Sequence, residues 1–187
     1  MGTIPKIIAT EDQWIQKGIE EFAQSGVDGL VIEKMSLELG CSKSSFYWYF
    51  KNRNEYITRL VERWAELSTQ QVMIRSSERE TPEEQLMMML TQMFAATRKG
   101  DFLFYLRKLC KKSPSFHSVL ETIEQTRMNY AQELFRKLGI DPKAAEQKSH
   151  LLYHYYLGWY ERHKHDEIGE EECKLHVAML REQLLGF

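Results

Sequence analysis

From Glu11 onward, apolar residues recur at three- and four-residue spacing, and the strict alternation of a half-buried strand is nearly absent. Only 4 prolines and 10 glycines interrupt the 187 residues, so long helices can run unbroken. This periodicity predicts an all-α fold of about nine helices. A first helix spans about Glu11 to Gln24, with Ile15, Ile19 and Phe22 on one face, and stops at Ser25-Gly26. A second covers about Ile32 to Leu39 and ends at Gly40; a third runs from a Ser42 cap to about Phe50. Asn54 caps a fourth that runs from Glu55 towards Met73.

Thr81-Pro82-Glu83-Glu84 is a strong start signal. Threonine caps, proline takes the first helical position and Glu84 closes a capping box. The resulting helix is expected to reach Arg98, with Gly100 as the break. Asp101 caps a helix to about Lys111. Another spans about Ser115 to Leu138, one restarts at Asp141-Pro142 and runs to about His165, and the last covers Glu170 to Leu185. Three short helices followed by longer ones predict a small N-terminal module, residues 1–54, and a larger bundle, residues 55–187.

Hydrophobic residues at 43% and charged residues at 28% describe a chain with a real core and exclude disorder. The longest purely apolar run, Leu86 to Leu90, is far short of a membrane span, and no signal-peptide pattern is present. Cys41, Cys110 and Cys173 are odd in number and widely spaced, which fits a reducing cytoplasm. No membrane partner and no cofactor are expected. The net charge of −2 does not point to nucleic acid, so any such binding rests on a local patch.

That patch lies in Gly40 to Arg53, GCSKSSFYWYFKNR. Two short helices joined by a glycine turn read as a helix-turn-helix. Phe46 and Phe50 are four apart and share an inward face. Lys43, Ser44, Tyr47 and Tyr49 then point elsewhere, with Ser45 at the helix start. Lysine can donate to guanine acceptors in a major groove, while serine and tyrosine hydroxyls suit phosphate oxygens. Ser42 to Arg53 holds three cations and no acid, although residues 1–56 hold six cations against eight acids. Only the recognition edge is basic. A buried bundle helix is the competing reading of FYWYF, but it leaves the flanking KSS and KNR unexplained.

The stretch LGCSKSSFYWYFKNRNEY resembles the signature of TetR-type bacterial transcription regulators, over about Glu11 to Leu60. The resemblance implies that Lys43, Ser44 and Ser45 read bases, that Tyr47, Tyr49 and Arg53 contact phosphates with help from Lys51, and that Trp48 sits at the groove edge. Two positions depart from the pattern. Val31-Ile32-Glu33 stands where threonine or arginine commonly touches the backbone, and a carboxylate there is unfavourable near phosphate, so no contact is assigned to it. Tyr49 stands where histidine is common.

The resemblance further implies a homodimer joined through the last two long helices, reading a near-palindromic double-stranded operator. Independently, the eighth helix is apolar around much of its circumference, which calls for burial on two sides. Leu152, Tyr155, Gly158 and Trp159, with Met179 from the ninth, are the candidate interface; a wholly intramolecular core is the alternative. An effector pocket is implied within helices four to eight, where Met93, Phe94, Phe104, Tyr105 and Met128 supply soft and aromatic lining and Arg107 is the most suggestive polar group. Core packing competes for each of these residues.

The expected function is therefore a sequence-specific DNA-binding regulator, most simply a dimeric repressor released by an apolar or aromatic small-molecule effector, and not an enzyme. The rival is a helical metal-binding protein or enzyme built on Glu146, His150 and His154, or on His163, His165, Cys173 and His176. Neither set has an established ligand spacing, and no metal is assigned.

Overall fold

The computed structural model describes residues 9–95, 101–163 and 166–186. Among these, all regular structure is helical: α1 Glu11–Ser25, α2 Ile32–Glu38, α3 Lys43–Tyr49, α4 Arg53–Ala65, α5 Gln71–Ser77, α6 Pro82–Phe94, α7 Phe102–Cys110, α8 His117–Lys137, α9 Pro142–His163 and α10 Glu170–Leu185. A π-helical turn, Glu66–Gln70, links α4 to α5 without a break in helical backbone, so the ten segments make nine helices among the described residues. The all-α expectation holds. The predicted extension of α6 to Arg98 with its stop at Gly100, and of α9 to His165, falls partly outside the described residues.

Local chemistry explains most of the ends. Thr10 and Gln13 close a reciprocal capping box on α1, and Thr81 and Glu84 do the same on α6 with Pro82 at the first position. Asp141 accepts from the Lys143 and Ala144 amides to open α9. Three predicted caps differ. The α4 cap is Asn52 rather than Asn54: its Oδ1 accepts from the Glu55 amide at 2.9 Å, while the Glu55 carboxylate accepts from the Lys51 amide at 3.0 Å. Ser42 has the extended backbone of a cap, but its hydroxyl pairs with that of Ser44 at 2.6 Å instead. Asp101 holds ψ at 42° rather than an extended value, which turns its carboxylate off the amides of α7.

The described residues divide into two compact units, residues 9–65 with 101–117 and residues 66–95 with 118–163 and 166–186. The first has an aromatic core. Trp14, Phe22, Met35, Phe46, Phe50, Tyr56 and Leu60 are almost fully buried. Phe46 sits at its centre, edge-on to Trp14 at 5.3 Å and to Tyr56 at 4.9 Å, with Phe50 at 4.9 Å. Gly18 makes this possible: a Cβ there would lie 2.0 Å from the Tyr56 hydroxyl and 2.6 Å from Leu60. The Tyr56 hydroxyl donates to the Trp14 carbonyl at 2.6 Å, tying α4 to α1.

The second unit is built differently. Leu86, Met89, Leu90 and Phe94 of α6 meet Ala131, Leu134 and Phe135 of α8, Ala145 and Leu152 of α9, and Val177, Leu180 and Leu184 of α10. Polar ties cross this apolar core at its margins. Arg127 of α8 donates to Ser68 and Thr69 in the π turn, the Tyr130 hydroxyl donates to the Met73 carbonyl, and Arg181 of α10 pairs with Glu83 at the start of α6.

Candidate nucleic-acid interface

The turn before α3 is set by its hydrogen bonds. The Cys41 amide donates to the Ser36 carbonyl at 2.9 Å and the Gly40 amide to Leu37 at 3.1 Å, the paired bonds of a Schellman ending. Gly40 takes φ +64°, and nothing lies within 4 Å of where its Cβ would be, so backbone conformation rather than space calls for glycine here.

The seven residues of α3 and its C-cap Phe50 then separate by rotation. Ser45, Phe46 and Phe50 turn inward, Tyr49 is half-buried between the faces, and Lys43, Ser44, Tyr47 and Trp48 stand in solvent. Tyr47 is 61% and Trp48 77% exposed, large values for aromatic side chains inside a helix-rich unit. Lys51, on the connection to α4, and Arg53, the first residue of α4, follow and are exposed. Arg53 donates to the Val27 carbonyl at 2.5 Å; a neutral acceptor fixes the guanidinium and leaves its charge uncompensated.

Ser45 does not belong with this exposed set. It is 4% exposed, its Oγ accepts from Trp14 Nε1 at 3.2 Å, and it donates to the Ala9 carbonyl at 3.2 Å. One residue after Ser44, a helix has turned about 100°, which carries Ser45 to the side of Phe46. The serine expected to read bases instead ties α3 to α1.

Sequence reasoning missed a partner of this face. Lys43 Nζ lies 2.5 Å from Glu33 Oε1, at the start of α2. The lysine ammonium donates to the Glu33 carboxylate, and that hydrogen bond holds the carboxyl below its usual range. The available signal was the unusual carboxylate in Val31-Ile32-Glu33.

The remaining predicted sites separate along the two units. Phe104 is exposed, and Tyr105 and Arg107 are half-buried; all three belong to the first unit with α7, where the Tyr105 hydroxyl donates to the Gln24 carbonyl at 2.9 Å. Phe94 is packed in the core of the second unit, edge-on to Trp159 at 4.9 Å, while Met93 and Met128 are half-buried there. Of the predicted interface residues, Leu152 is core and Trp159 is half-buried against Phe94. Tyr155, Gly158 and Met179 are exposed, and Leu151 and Leu175 join them as large exposed apolar side chains on α9 and α10.

His163, His176 and Cys173 have other partners, while His165 lies outside the described residues. His163 pairs with Asp166 at 2.8 Å, and His176 stacks on Tyr155 and Trp159. Cys173 is buried with its thiol 4.0 Å from the Thr91 carbonyl, and that burial raises its pKa, disfavouring the thiolate a metal needs. No three described His, Cys, Asp or Glu side chains converge as a metal cluster. No described helix is long and apolar enough to cross a membrane.

The same arrangement of helices recurs in solved structures. A transcriptional regulator from Rhodococcus sp. Rha1 superposes with a TM-score of 0.74 at 16% identity, covering 95% of this chain and 97% of the other. The fold is that of the TetR-type regulators. A TetR transcription regulator from Haloarcula marismortui matches equally well, with a TM-score of 0.74, 16% identity and coverage of 94% and 96%. AibR, solved with isovaleryl coenzyme A and operator DNA, matches with a TM-score of 0.68 at 14% identity, covering 90% of this chain and 96% of its own. No protein-family model and no curated protein sequence matches this chain. The resemblance first seen in eighteen residues around α3 therefore extends to the whole TetR-type fold.

Proposed function

We propose that this chain is a sequence-specific DNA-binding transcription regulator of the TetR type, cytoplasmic and not an enzyme, that acts as a homodimer on a near-palindromic operator. The observation that carries this reading is the exposed face of α3. Lys43, Ser44, Tyr47 and Trp48 stand clear of a core that Phe46 and Phe50 anchor, with Lys51 and Arg53 immediately after. Lys43 and Ser44 suit base edges, while Tyr47, Tyr49, Lys51 and Arg53 suit backbone phosphate. Ser45 is left out because its hydroxyl is committed within the core. In functional terms residues 1–54 carry DNA binding and residues 55–187 carry effector binding and dimerisation.

The dimer is supported by the exposed apolar side chains of α9 and α10, among them Leu175 at 73% exposure. Two copies joined there would present two α3 helices to successive major grooves, roughly 34 Å apart. Effector binding is assigned to the second unit, with Met93 and Met128 as adaptable lining for an apolar or acyl-bearing small molecule. AibR offers a precedent in its bound isovaleryl coenzyme A. Release of the operator on effector binding makes the protein a repressor.

Selection of bound duplexes from a random pool tests the reading. A palindromic consensus is expected, and Lys43→Ala and Tyr47→Ala are each expected to weaken binding to it by about 1–3 kcal/mol. A pool that yields no consensus overturns it. Sedimentation of a Leu151→Glu, Leu175→Glu variant is expected to give a monomer where the wild-type chain gives a dimer.

A further inference from the structure

Resting on that reading, we propose that Glu33 is a specificity-determining residue, which pairs with the one cation of the recognition helix and shares a base-pair edge with it. Lys43 is the only cation in α3, KSSFYWY. Its ammonium is 2.5 Å from Glu33 Oε1, and both side chains are more than half exposed, at 55% and 60%. The pair therefore lies on the surface, where DNA can reach it.

The other charges of this surface are engaged differently. Lys34, next to Glu33 on α2, pairs with Glu21 and Glu38, and Lys17 pairs with the same two carboxylates. Arg53 is bonded to a neutral carbonyl and Lys51 joins no ion pair among the described residues. Attraction for phosphate thus comes from the Lys51–Arg53 end of the motif. At the reading end, the positive charge of Lys43 is matched by a carboxylate within hydrogen-bond reach.

A phosphate approaching Lys43 must also approach Glu33, and the two anions repel. A G·C pair presents a different edge: guanine O6 and N7 accept, and cytosine N4 donates. Lys43 can give to the first two and Glu33 can take from the third. The Glu33–Lys43 pair so placed rejects generic phosphate contact and is satisfied by one base-pair edge. Glu33 holds Lys43 in position and, where an amino group is presented, contacts it directly.

The test measures Kd against salt for the wild-type chain, Glu33→Gln, Lys43→Ala and the double variant. Each is titrated with a random-sequence duplex and with the duplex selected from the pool. Glu33→Gln keeps the size of the side chain and removes its charge. It is expected to bind the random duplex more tightly and to lose roughly tenfold in discrimination, within the range one base contact supplies. The freed ammonium should steepen the log Kd against log salt slope by about 0.9, one further phosphate contact. In the Lys43→Ala background the same change should leave the salt slope unaltered, which a merely structural role for Glu33 does not predict. Equal discrimination and equal slope in wild type and Glu33→Gln overturn the inference while leaving the DNA-binding reading intact. A wild-type chain with no preference for the selected duplex overturns both.

Discussion

The two compact units bury their interiors by different means. The first uses a few large aromatic side chains fastened by directed bonds: Trp14 to Ser45, Tyr56 to the Trp14 carbonyl, and Arg59 over the Phe50 ring at 5.8 Å. The second is mainly aliphatic, with Leu86, Met89, Leu90, Leu134, Val177 and Leu180 in its middle. Aromatic rings meet at preferred angles and buried hydroxyls need partners, so the first core admits few arrangements. An aliphatic core asks only for volume and tolerates exchange. The first unit presents the exposed face of α3, and the second holds the half-buried Met93 and Met128.

Truncation at the aromatic centre should have the largest effect. Phe46→Ala is expected to lose about 3–5 kcal/mol of unfolding free energy in denaturant titration, whereas Leu90→Met in the second core should lose less than about 1.5 kcal/mol. Comparable losses would erase the contrast between the two cores. Overpacking is next: Gly18→Ala forces a Cβ against the Tyr56 hydroxyl and should lose about 1–3 kcal/mol, with the loss partly relieved in a Gly18→Ala, Tyr56→Phe pair, since Leu60 still lies 2.6 Å away.

Tyr56→Phe alone should lose about 1–2 kcal/mol by leaving the Trp14 carbonyl without its donor. Burial of Tyr56, with Glu21 adding to it, raises the phenol pKa above its ordinary value. The native state then holds this proton more tightly than the unfolded chain, so the contribution of Tyr56 to stability is constant below pH about 10 and falls above it. Tyr56→Phe should flatten that alkaline fall, read as the change in denaturation midpoint with pH. The smallest effect belongs to the surface. Asn52→Ala and Thr81→Ala each remove a helix cap, one in each unit, and should lose about 1 kcal/mol apiece by the same titration. Equal cap losses in both units would place the difference between them in the cores.

Much of this was legible in one dimension. The 3.6-residue period marked the helices, Thr81-Pro82-Glu83-Glu84 marked the start of α6, and the i, i+4 spacing of Phe46 and Phe50 divided FYWYF into two faces. The caps that differed depended on competition. Ser42 found Ser44 before it found an amide, and Asn52, three residues before Glu55, took the capping bond expected of Asn54. That Tyr105 falls in one compact unit and Phe94 in the other was not legible either, because residence in a unit is a matter of long-range packing.

By itself the sequence determined that the chain is helical, that α3 is amphipathic and that its outer face carries lysine, serine and tyrosine, since all three follow from local periodicity and residue type. Only the tertiary structure decided which neighbours those side chains meet. Ser45 reaches Ala9 and Trp14 across 36 and 31 residues, and Lys43 reaches Glu33 across a turn that Gly40 closes. Such pairings are properties of chain reversal and packing, in which residues distant along the chain compete for the same polar atoms.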